Sequence, residues 1–151
     1  MDYNTAIKNL TSKGMFYVDL GLDRVSKVLE ILGNPQDDLK YIHIAGTNGK
    51  GSVCAMLDSI LREAGYKVGL YTSPHIFEYT ERIKINGIEI PKQDFADLFE
   101  EISNLNIHLT EFELLTVMFF YPTFQIDQKP AYLLIQMEKS LFWDSLLRLT
   151  G

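Results

Sequence analysis

Between positions 46 and 52 the chain reads Gly-Thr-Asn-Gly-Lys-Gly-Ser. Glycine packed this densely around one lysine suits the wrapping of a phosphate. Gly46, Gly49 and Gly51 permit positive φ angles and a close approach of backbone N–H groups to an anion. Lys50 brings a mobile positive charge to the outer phosphates, and Ser52 brings a hydroxyl of the kind that ligates magnesium in phosphate loops. Thr47 and Asn48 complete the loop. The common phosphate-loop pattern has a glycine five residues before its Gly-Lys pair and a hydroxyl directly after the lysine. Here Ile44 and Gly51 hold those places. A turn that is glycine-rich for sterics alone is the other reading, but such a turn needs no lysine at its centre.

The elements around the loop put it where an anion site belongs. Tyr41 to Ala45 is a short β-branched run that reads as a buried strand. Beyond the loop, Val53, Met56, Leu57, Ile60 and Leu61 form a helical stripe that Ala64-Gly65 ends, and Lys67 to Tyr71 reads as a second strand. Strand, glycine loop, helix and strand make a right-handed parallel βαβ unit. Ligands bind such sheets beyond the carboxyl ends of the strands, where both Gly46 and the Thr72-Ser73-Pro74 turn lie. The helix start adds oriented N–H groups and partial positive charge.

The rest of the chain is predicted as an α/β domain. Apolar positions from Tyr17 to Leu32 give an amphipathic helix that Gly33-Asn34-Pro35 stops. Residues 82 to 90 alternate around Asn86-Gly87, which marks a small β-hairpin. Helices are expected from Lys92 to Ile102 and, capped by Thr110, on to Phe120, with a third core strand at Ala131 to Ile135. Glu138 to Gly151 has amphipathic helical spacing, but no cap or turn shows where it packs.

With 151 residues, 46% of them hydrophobic, the chain is expected to form one packed domain. Its net charge of -6 argues against general nucleic-acid binding, so a bound anion must be held by local groups. The single Cys54 fits a reducing cytoplasmic compartment, and no apolar run approaches the length of a membrane span.

The loop, the Tyr71-Thr-Ser-Pro-His75 segment and Tyr79-Thr-Glu-Arg-Ile83 together resemble the bacterial bifunctional dihydrofolate synthase and folylpolyglutamate synthase family of the Mur ligase superfamily. The likeness runs from about Tyr17 to about Ile135. It implies a fold that is part of a P-loop-containing Mur ligase-type ATPase domain, mainly parallel sheet with flanking helices and a small hairpin. It also implies a reaction: ATP phosphorylates a carboxylate of dihydropteroate or a reduced folate, and the amine of L-glutamate attacks the acyl phosphate. ATP and Mg2+ are the implied cofactors. The implied assembly is a cytoplasmic monomer with no nucleic-acid or membrane partner.

By the same resemblance Gly46 through Ser52 hold ATP, and Ser73, with Ser52, ligates magnesium. Leu22, Asp23 and Arg24, with Thr110, Glu111, Phe112 and Glu113, contact the pterin. A carboxylate can accept paired pterin N–H donors and Phe112 can stack on the ring. Simpler readings stand beside these. Asp23 and Arg24 suit a solvated helix face, and Thr110 to Glu113 suits a capped helix start. Ser73-Pro74 suits an ordinary turn, and Glu81-Arg82 suits a surface ion pair.

Two features depart from the family. A magnesium-binding glutamate is expected after the third strand, where this chain has Gln136, with Glu138 two residues on. Pro122 is expected to break the helix before that strand. The similarity then stops. Residues 1–135 are therefore read as the N-terminal part of the ATP-binding domain, and 136–151 as a divergent tail, expected to be frame-changed, without the glutamate ligase domain. The expected function is a folate-directed amide ligase, inactive as this chain alone. A non-catalytic nucleotide-binding remnant is the alternative, and the delayed Ser52 argues against a small P-loop kinase.

Overall fold

The computed structural model describes residues 1–13, 22–44, 46, 48–124 and 131–136. Helix α1 (Tyr3–Thr11) comes first, with its Asp2 N-cap accepting from the Thr5 amide at 2.9 Å. Helix α2 (Leu22–Ile31) follows and occupies the later part of the stretch predicted from Tyr17; residues 14–21 lie outside the described set. Strand β1 (Lys40–Ile44) leads into the glycine loop, helix α3 (Lys50–Glu63) and strand β2 (Lys67–Tyr71). A 3-10 turn at Tyr79–Arg82 precedes the hairpin of β3 (Ile83–Ile85) and β4 (Ile88–Glu89). Helices α4 (Lys92–Ser103) and α5 (Glu111–Phe124) and strand β5 (Ala131–Gln136) complete the described chain.

These strands form one sheet in the order β1-β5-β2-β3-β4. β5 lies parallel to both β1 and β2, while the hairpin strands run antiparallel. The parallel strands end in register, with Ile44 beside Gln136 and Ile135 beside Tyr71. At roughly 4.8 Å per strand, the loops leaving β1 and β2 start about 10 Å apart on one edge of the sheet. Gln136 ends β5 there; Glu138 and the predicted tail helix fall outside the described residues.

Side chains alternate between two layers, as strand geometry requires. Tyr71 and Ile135 join the larger core with α1, α2, α4 and α5. Val68 and Leu70 pack with Cys54, Leu57 and Leu61 of α3 on the other face. The predicted stripe of α3 is thus rotated: Val53, Met56 and Ile60 are exposed, and Cys54, Leu57 and Leu61 turn inward. A helix lying on a narrow sheet buries one stripe about 100° wide, and this one centres on position 57 and its neighbours a turn away.

Pro122 does not break α5 where the sequence suggested, because the helix runs on to Phe124. The proline removes the bond to the carbonyl four residues back, and the helix ends only two residues beyond it. The Asn86-Gly87 turn has the expected left-handed φ values of 52° and 81°. Asn86 also binds Val68 twice, through its own amide at 2.8 Å and by accepting the Val68 amide at 2.9 Å. A Cβ on Gly87 would lie 2.9 Å from Cζ of Arg62, whose guanidinium Asp58 holds. Gly87→Ala is expected to lower stability by ~1–2 kcal/mol in urea unfolding, part of it recovered in an Arg62→Ala background. An unchanged midpoint would contradict this packing.

Candidate functional site

The glycine loop sits between β1 and α3. Gly46 has φ 146° and Gly49, the N-cap of α3, has φ 77°, both in the region that favours glycine. Gly49 offers no side-chain cap, and the first intrahelical bond runs from the Val53 amide to the Gly49 carbonyl. The amides of Gly51 and Ser52 therefore precede the helix hydrogen bonds, as in an anion-binding helix start. Lys50 is the first helical residue and is half-buried, with its Cγ 4.0 Å from the place a Gly46 Cβ would take. The start of its side chain thus lies near Gly46. Asn48, Gly49, Gly51 and Ser52 are exposed, and Thr47 lies outside the described residues.

The second loop on that edge, 72–78, is fixed by the turn that follows it. The Thr72 amide donates to the Arg82 carbonyl at 3.1 Å and Thr72 Oγ1 to the Glu81 carbonyl at 3.2 Å. The Glu81 carboxylate accepts the amides of Ile76, Phe77 and Glu78 at 2.7–2.9 Å. Those bonds, the Ile76 amide foremost, hold its carboxyl below the usual carboxylate range. The surface pair read from Glu81-Arg82 is replaced by separate roles, since Arg82 donates from Nε to His75 Nδ1 at 2.8 Å and from Nη1 to Ser73 Oγ at 3.4 Å. The Ser73–Pro74 peptide is cis.

Burial, and then the charge of Arg82, pull the His75 imidazole below its ordinary value. Protonation would also remove the acceptor that Arg82 uses. The neutral form therefore stabilises the fold fully above about pH 6.5, the unfolded value, and that contribution is lost as pH falls through the lower folded value. An NMR titration without divalent cations should find His75 below 6.5 and find Arg82→Gln moving it upward. A wild-type value above 6.5 would contradict the arrangement.

The residues assigned to the pterin gather at the start of α5. Thr110 and Glu113 form a reciprocal capping box: the Thr110 amide donates to Glu113 Oε2 at 3.1 Å, and the Glu113 amide donates to Thr110 Oγ1 at 3.4 Å. Arg24 of α2 grips the same carboxylate through Nε at 3.2 Å and Nη2 at 2.6 Å. The solvated-helix reading therefore fails for Arg24 and fits the exposed Asp23. Leu22 opens α2 and Phe112 packs half-buried against the core. Glu111 is only 4% exposed; its Oε1 accepts the Tyr79 hydroxyl at 2.7 Å, and its Oε2 has no hydrogen-bond partner among the described residues. Tyr79 and Arg82 stand in the Tyr79-Thr-Glu-Arg-Ile83 motif, but the partners that give them a role, Glu111 and His75, come together only in the fold.

Can these residues hold a nucleotide with its cation? The loop backbone and Lys50 fit phosphate oxygens. Ser52 and Ser73 present neutral hydroxyls, and no group of three His, Cys, Asp or Glu comes together among the described residues. That donor set fits magnesium held largely through phosphate and water oxygens. Among the described residues, no helix is long and apolar enough to cross a membrane.

No protein-family model matches the chain. It is 46% identical to the dihydrofolate synthetase of Saccharomyces cerevisiae over 107 residues, covering 68% of this chain and 25% of that protein. It is 43% identical over 125 residues to the dihydrofolate synthase/folylpolyglutamate synthase of Escherichia coli, covering 80% of this chain and 29% of that one. Among solved structures, an FPGS-AMPPCP-folate complex superposes with a TM-score of 0.78 at 30% identity, over 90% of this chain and 35% of its own. The chain thus spans between a quarter and a third of the length of these curated relatives.

Proposed function

We propose that this chain, which belongs to the dihydrofolate synthase and folylpolyglutamate synthase family, supplies the phosphate-binding and pterin-facing part of an ATP-dependent amide ligase. Its α/β fold is the Mur ligase-type fold of the solved synthases. The carrying observation is the β1–glycine loop–α3 unit, with Lys50 at the helix start and the Ser73 loop leaving the same sheet edge. In this reading Gly46 to Ser52 bind ATP, and Ser73 and Ser52 face the magnesium ion. Bound Mg-ATP supplies the phosphoryl group that activates the substrate carboxylate for attack by L-glutamate. The protein's part is to position and neutralise charge.

Leu22 to Arg24 and Thr110 to Glu113 are assigned to a dihydropteroate or reduced folate. Phe112 is the stacking surface, and Arg24, Thr110 and Glu113 support one another at the same helix start. Pteroate is expected to bind with Phe112→Ala weakening it about tenfold, a stacking contribution of ~1–1.5 kcal/mol, while Mg-ATP affinity stays unchanged. Calorimetric titration checks this; no pteroate binding by the wild type would sink the assignment. A second reading, a nucleotide-binding remnant without turnover, is favoured by Gln136 at the end of β5, since a neutral amide is a weaker ligand for a hard cation.

A further inference from the structure

The two predicted groups of site residues are joined by side chains that neither group contains. We propose that Tyr79 and Arg82 are positioning residues that set the Ser73 hydroxyl from the first turn of α5, through Glu111; this rests on the reading of Ser73 as a cation ligand. The connection is continuous. Glu111 Oε1 accepts the Tyr79 hydroxyl at 2.7 Å, the Tyr79 ring lies 5.2 Å from Arg82 Cζ and 4.2 Å from the His75 ring, and Arg82 donates to both His75 and Ser73.

Each link restricts the next. Glu111 is buried and its other oxygen has no hydrogen-bond partner among the described residues, so the Tyr79 bond compensates that carboxylate and in turn fixes the phenol. The phenol ring, with the His75 ring beside it, forms the surface on which the guanidinium lies. The planar fork then reaches two acceptors in a fixed geometry, from Nε and Nη1, where an ammonium would offer only freely rotating donors at a single nitrogen. A serine oxygen that already accepts from Arg82 has its proton and remaining lone pair confined to other directions. The Ser73 hydroxyl is thereby oriented before any ligand arrives. Arg82 spends its charge on a hydroxyl and a neutral imidazole because the neighbouring Glu81 carboxylate is taken by backbone amides.

The test uses the full chain and its Tyr79→Phe and Arg82→Lys variants, with ATP titrated in the presence and absence of Mg2+ and amide NMR spectra recorded without ligand. Magnesium is expected to tighten wild-type ATP binding about tenfold, and the gain should fall to about threefold in Tyr79→Phe and nearly vanish in Arg82→Lys. Affinity for ATP without magnesium should not move. In ligand-free Tyr79→Phe the amides of Ser73 and of His75 to Phe77 should shift while those of Asn48 to Ser52 stay. An undiminished magnesium gain in both variants, or shifts confined to the surroundings of Tyr79 and Glu111, would overturn the proposal. If the wild type binds no ATP, the nucleotide reading fails, and the ligand-free shifts still decide whether Tyr79 positions the Ser73 turn.

Discussion

Glu113→Ala is expected to destabilise the chain by about 3 kcal/mol, seen as a lower urea midpoint at unchanged slope. Two contributions combine. The side chain is 2% exposed and closes the capping box with Thr110, whose loss costs ~1 kcal/mol. It also takes both bonds from Arg24, charge-assisted contacts of ~1.5–3 kcal/mol when buried. The Arg24 side chain is 36% exposed, so solvent weakens that part and the lower half of the range applies. Arg24→Ala should then cost little more in the Glu113→Ala background than nothing, because the partners share one interaction. A loss below 1 kcal/mol, or full additivity, would contradict the role given to this pair in joining α2 to α5.

Lys50→Ala should produce the largest loss of affinity, weakening Mg-ATP about 100-fold, or ~2.7 kcal/mol. The lysine begins α3 with its Cγ near Gly46, so its long side chain can carry charge to phosphates held by the loop. Alanine is a good helix former, and the fold should be retained. Equilibrium dialysis against labelled ATP, with thermal unfolding as a control, gives the answer. A change of less than threefold in a folded variant would remove Lys50 from the phosphate site.

What could be seen in the sequence follows from how local each signal is. The Asn86-Gly87 hairpin and β2 are written in a few adjacent residues, and the structure matches them. Thr110 and Glu113 stand at the spacing of a capping box, so the start of α5 was visible. Helix α1 carries only a short signal, an Asp2 cap with Ala6 and Leu10 on one buried stripe. Only its docking reveals its worth: Tyr3 stacks edge-on to Phe95 of α4 at 5.6 Å. The rotation of α3 depends on the strand residues packed beneath it, Val68 and Leu70 among them, which no window of α3 residues contains. The glycine loop is contiguous and was legible at once. The Tyr79–Glu111 bond spans 32 residues and Arg24–Glu113 spans 89, so each needed the tertiary fold to bring its ends together.

The central claim is that the edge of the sheet between the β1 and β2 loops binds a nucleotide. Amide chemical-shift mapping of the full chain during a Mg-ATP titration tests it most directly. The largest changes are predicted at Gly46 and Asn48 to Ser52, followed by Ser73 and His75, with the hairpin and α4 unmoved. Saturating Mg-ATP that leaves the glycine loop unshifted, or shifts only the hairpin and α4, would contradict the account.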